Sequence, residues 1–137
     1  EARACLARID ELLRESALDD AAFSRYVAFN EKFHALLYEM SGSALIAQQL
    51  DRAVNLPFAS PSAFVVVQAN SPAARDMLVI AQDQHTQVLD AIEAHEGARA
   101  ESLMREHSRI ARRNLREALH GSAEHSLPGV QLIRRRS

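Results

Sequence analysis

Apolar residues recur every three or four positions along most of this chain, and the breaks in that rhythm mark out its elements. Cys5, Leu6, Ile9, Leu12 and Leu13 form one stripe, which predicts a first helix from residue 2 to about 16. Asp19 or Asp20 can cap a second, in which Phe23, Tyr26, Val27, Phe33, Leu36, Leu37 and Met40 run to a stop at Ser41-Gly42. Ser43 can cap a shorter third through Leu45, Ile46, Leu50 and Val54, which Pro57 ends. Over residues 58–70 the pattern fails, and Pro61 with the apolar run 64–67 reads as a loop holding at most one short helix. Ser71-Pro72 then has the form of an N-cap followed by proline at the first helical position, opening a helix with Leu78, Ala81, His85, Val88, Leu89 and Ile92 on one stripe. After a turn at Glu96-Gly97, a last helix carries Leu103, His107, Ile110, Ala111, Asn114, Leu115 and Ala118 on one face and ends at His120-Gly121. Residues 122–137 read as an extended tail, so the sequence divides into a helical domain over 1–121 and that tail.

Composition agrees with an all-α fold. The 137 residues are 47% hydrophobic and 25% charged, with no Trp and only four Gly and four Pro, enough for one domain with a real core and poor in strand and turn formers. No apolar run approaches the roughly 20 residues that span a bilayer, and Glu1 opens an amphipathic segment rather than a signal peptide, so a soluble cytoplasmic protein without membrane contact is expected. The single Cys5 excludes an intrachain disulfide. A net charge of −2 gives the whole chain no footprint for nucleic acid. Arg105, Arg109, Arg112, Arg113 and Arg116, with Arg134 to Arg136 in the tail, read as a solvated helix face and a chain end, not a DNA-binding surface.

The candidate chemistry lies in histidines placed where apolar residues belong. His85 and His107 each stand eleven positions from residue 96. If the chain folds back there as an antiparallel hairpin, both imidazoles lie at one height, roughly 16 Å from the turn at about 1.5 Å per residue. His34 occupies an apolar stripe of the second helix, with Asn30 one turn before it on the same face. Three imidazoles suit a borderline divalent metal, zinc or nickel above all, and Asn30 can add a carbonyl oxygen. Ligands drawn from three helices would leave coordination positions open for water or a small anion. The competing reading is that these are hydrogen-bonded core histidines. His95, His120 and His125 fall at turns or in the tail and read as solvated.

Catalysis has less support. There is no phosphate loop, no nucleophile elbow and no Cys-His pair with an orienting group. Asp83 and Asp90 flank His85 but lie off its stripe, so a hydrolase would lack the carboxylate base it needs beside a metal. The expectation is therefore not an enzyme.

Asn30-Glu31-Lys32-Phe33-His34, then Ser41-Gly42-Ser43, Gln84-His85 running into Ala91-Ile92, Met104 and Glu106-His107 together resemble the FCD domain. This is the C-terminal effector-binding domain of the FadR subfamily of GntR-type bacterial transcription regulators. The resemblance runs from about Glu1 to Leu119, and the 22-residue spacing of His85 and His107 together with the Phe-His pair makes it fairly specific. It implies an antiparallel bundle of six or seven helices around a central pocket that often holds a divalent metal on an Asp and three His. Carried over, the ligands are Asn30, His34, His85 and His107. Asn30 stands where the family usually has Asp, which lowers the expected metal affinity, and Gln84 stands where Glu is often found.

The resemblance further implies a homodimeric regulator in which a small organic acid bound in the pocket alters how an N-terminal winged helix-turn-helix domain engages operator DNA. That domain is not in this sequence, so contact with DNA is expected only through it. Asn114 by periodicity, and Arg52 as a bidentate partner for a carboxylate, are the candidate effector contacts. The rival readings are a small helical metalloenzyme and a structural dimerisation module with core histidines.

Overall fold

The computed structural model describes residues 1–15, 19–56 and 72–121, with side chains in the last stretch at 75–110 and at 112 and 113. Five helices and no strand lie among the described residues: α1 (Ala2–Arg14), α2 (Asp20–Glu39), α3 (Ala44–Val54), α4 (Pro72–Glu93) and α5 (Gly97–Gly121). The fold is all-α, as composition and periodicity require. The expected loop or short helix at 58–70, the stop at Pro57, the cap at Ser71 and the tail at 122–137 lie outside the described residues.

α1 buries Ala2, Cys5, Leu6, Ile9, Leu12 and Leu13, the stripe expected of an amphipathic helix with one face on a core. It packs on both α2 and α4. Its stripe joins Ala22, Tyr26 and Phe33 of α2 and Leu78 and Leu89 of α4 in a single hydrophobic core. Each large aliphatic side chain buried there contributes about 1.5–3 kcal/mol. α1 ends at Arg14, earlier than its pattern suggests, because Glu15 is extended with ψ 144° and turns its N–H back to Leu12. The Arg75 guanidinium of α4 donates to the Leu13 carbonyl at 2.7 Å, occupying one of the acceptors that a helix end leaves open.

The caps read from sequence are in place. The Asp19 carboxylate accepts from the Ala22 N–H at 2.7 Å, and the Ser43 hydroxyl accepts from the Ile46 N–H at 3.3 Å. Gly42, at φ 65°, ends the turn after α2 in the left-handed conformation that glycine adopts without strain.

The turn between α4 and α5 differs from expectation in one respect. Its left-handed residue is His95, at φ 58°, and Gly97 instead opens α5. The His95 N–H donates to Ile92 O at 3.0 Å and the Glu96 N–H to Ala91 O at 2.8 Å, the two bonds of a Schellman cap with histidine in the position glycine usually takes. α4 and α5 pack together along this hairpin, and α3 lies on α2. α3 has no fully buried residue, and its Leu45 and Ile46 are exposed.

Candidate metal centre

Three helices each deliver one imidazole to the same place. On α2, Asn30, Phe33 and His34 face inward and are all buried. On α4, His85 takes the central position of the apolar stripe between Ala81 and Val88 and is 0% exposed. His107 reaches it from α5 across the hairpin and is half-buried. The two nitrogens His85 Nε2 and His107 Nε2 stand 3.2 Å apart, so the equal spacing of both residues from the turn does bring them to one height. His34 completes the group: one ligand nitrogen from each of the three lies within 4.8 Å of the others. The His34 ring centroid is 5.1 Å from that of His85 and 5.5 Å from that of His107. Phe33 walls the cluster, its ring 4.8 Å from His85.

The outer nitrogens of two of these rings are held by amides. Gln82 Oε1 lies 3.3 Å from His85 Nδ1, and Gln84 Oε1 lies 3.2 Å from His107 Nδ1. An amide oxygen can only accept, so with the two amides in this orientation each Nδ1 is the protonated nitrogen and each Nε2 is free to present a lone pair inward. His34 Nε2 is buried and is the one such side-chain nitrogen or oxygen among the described residues with no hydrogen-bond partner.

Burial holds all three imidazoles neutral. The His34 pKa is lowered to about 3, first by burial and then by His107. That of His107 is lowered to about 4 by burial. His85 is pushed well below the ordinary histidine range by burial and by the two neighbouring rings. Neutral imidazole is the form that ligates metal.

These observations fit a divalent cation. In that arrangement the two Nε2 lone pairs, 3.2 Å apart, would repel unless a cation lay between them. Nitrogens bound tetrahedrally at about 2.0–2.1 Å from zinc are themselves separated by about 3.3 Å. The orphaned His34 nitrogen would gain the partner it lacks. The three histidines can hold a metal.

The remaining sequence candidates fall as follows. Asn30 is buried one turn before His34 on the same helix. Arg52 is exposed in the last turn of α3. Asn114 lies on α5 two turns beyond His107, with its side chain outside the described residues. His95 is exposed at the hairpin turn, as expected, and the side chains of His120 and His125 lie outside the described residues. Asp83 is exposed and accepts from Gln87 at 2.6 Å, while Asp90 pairs with Arg3. The late arginines Arg105 and Arg109 pair along α5 with Glu101 and Glu106 on the solvent side. Sequence reasoning missed Gln82, although a buried amide three residues before His85 on the same stripe was a visible signal.

The model of the FCD domain matches residues 1–110. The chain belongs to the FCD domain family, the effector-binding domains of GntR-type transcription regulators. No protein of curated function matches it significantly. FCD domains belong to transcription regulators, which are generally not enzymes, and the match indicates no catalytic family. No helix among the described residues is long and apolar enough to cross a membrane.

Proposed function

We propose that this chain senses a small carboxylate metabolite, which binds beside a divalent metal held by His34, His85, His107 and Asn30. The sensing domain then controls DNA binding by an N-terminal winged helix-turn-helix domain in a homodimeric, cytoplasmic regulator. The observation that carries the reading is the convergence of three neutral, buried imidazoles, with two Nε2 atoms 3.2 Å apart and the third lacking a partner. Zinc and nickel are the favoured ions, because both accept imidazole readily.

When bound, the metal offers open coordination positions to a carboxylate oxygen. The protein's part is to keep the site neutral. Three uncharged rings and the Asn30 amide would leave the ion its full double charge beside the apolar Phe33 ring, which favours an anion over water. Arg52, at the end of α3, is assigned as a second anchor for the carboxylate and Asn114 as a polar contact.

Elemental analysis after dialysis into trace-metal-free buffer, followed by thermal melts with added zinc or nickel, tests this. About one ion per chain and a raised melting temperature are expected, since an ion bound only by the native state stabilises it. His85→Ala and His107→Ala should each abolish that rise, and His95→Ala should leave it intact. A chain that binds no ion and melts unchanged would return the cluster to core histidines.

A further inference from the structure

Gln82 differs from Gln84 in what holds it. Its side chain is buried, and its amide nitrogen donates twice to α1, to the Leu6 carbonyl at 3.1 Å and to Asp10 Oδ1 at 2.9 Å. Both groups are acceptors only at neutral pH. Turning the amide over would set its oxygen against a carbonyl and a carboxylate and leave both N–H groups facing His85. Gln82 therefore cannot flip, and its oxygen must face His85 Nδ1 whether or not an ion is present. Gln84 is half-buried beside His107, and among the described residues no comparable pair of acceptors fixes it.

We infer that Gln82 is a positioning residue through which α1 fixes His85 in its Nδ1–H tautomer, leaving His107 as the ring whose proton moves when the site fills. Without an ion, the 3.2 Å contact between the two Nε2 atoms needs one proton. His85 cannot supply it, because its proton is committed to Gln82. His107 then carries its proton on Nε2 and donates to His85 Nε2, with the Gln84 amide turned to donate to His107 Nδ1. Filling the site moves the His107 proton from Nε2 to Nδ1 and turns Gln84 back to accept it. No proton is gained or lost overall. His85 is ready for a metal in advance, and His107 is the ring that adapts.

The consequence for the metal rests on the proposed function; the consequence for the tautomers does not. Long-range proton–nitrogen NMR on the nitrogen-labelled full chain reads each histidine tautomer directly, in chelator-treated and zinc-treated samples. In the chelated wild type, His85 should be Nδ1–H and His107 Nε2–H, and zinc should convert His107 alone. Gln82→Met keeps the shape but removes the acceptor, and should release His85 to the other tautomer in part and lower zinc affinity by about 10–100-fold in chelator competition. Asp10→Ala lies on α1 away from the rings and guards against a Gln82 variant that fails to fold. It should give the same tautomer shift in smaller measure, while Asp10→Asn, which still offers an acceptor oxygen, should resemble wild type. If His85 is Nε2–H in the chelated wild type, or keeps its tautomer in both Gln82→Met and Asp10→Ala, the inference is wrong. If the tautomers follow Gln82 but zinc does not bind, the positioning of His85 by Gln82 stands, and the metal reading falls together with the His107 proton shift.

Discussion

In the proposed ligand set, Asn30 is the residue that sets how much charge the site carries. It lies one turn before His34, fully inside, where a carboxylate would otherwise bring a negative charge to the ligand set. Asn30→Asp should therefore tighten metal binding, because an ionised oxygen replaces a neutral one at nearly the same reach. The same change should weaken an anionic effector, since it cancels one unit of the charge that attracts it. Calorimetric titration of zinc and of a small dicarboxylate into both variants would test the pair of effects. Unchanged or weaker zinc binding would remove Asn30 from the ligands. At this scale the sequence was largely legible. His34, His85 and His107 stand out because a histidine inside an apolar stripe breaks the pattern. Gln82 breaks it too, but what it does depends on α1 lying within hydrogen-bond reach, and that is fixed by packing between residues 76 positions apart.

The α4–α5 hairpin brings His85 and His107 together, and its turn carries a conformational penalty. A non-glycine residue in the left-handed region costs roughly 1 kcal/mol relative to glycine, and His95 sits there at φ 58°. His95→Gly should stabilise the chain by about 0.5–1 kcal/mol, less whatever flexibility it adds to the unfolded state, measurable as a higher urea midpoint at unchanged slope. A fall in stability would show that the His95 side chain makes a contact worth more than the strain. Elements were read well where a side chain caps a helix, as Asp19 and Ser43 do. They were read less well where backbone geometry chooses the residue: Gly97 was the obvious candidate for the turn, but the Schellman bonds from His95 and Glu96 to Ile92 and Ala91 close it two residues earlier. The end of α1 slipped for a similar reason, with Glu15 turning out of the helix at a position the hydrophobic pattern does not mark.

Taken whole, the molecule has acid sensitivity built into its centre. His34 and His107 titrate at about 3 and about 4 in the folded chain, and His85 well below its usual range, against roughly 6.5 when unfolded. The unfolded chain thus binds more protons across that interval. The neutral cluster contributes its full stability above pH 6.5, and that contribution is lost progressively as pH falls toward 4 and then 3. Each histidine can steepen the loss by up to about 1.4 kcal/mol per pH unit. Urea midpoints of the metal-stripped chain at pH 7.5, 6.5 and 5.5 should fall steadily over the lower half of that range. A flat profile would mean that the rings are solvated in solution.

The unpartnered nitrogen of His34 reaches beyond binding chemistry to how long the protein lasts. A buried polar atom without a partner costs about 1–3 kcal/mol, a sizeable share of a small domain's stability. On the proposed function, a chain without its ion would open more often, and proteases act on opened chains. Metal supply would then be recorded as abundance, with starved copies removed by turnover before they could give a false signal. Brief thermolysin digestion with chelator or with zinc should show it, the chelated chain disappearing several-fold faster.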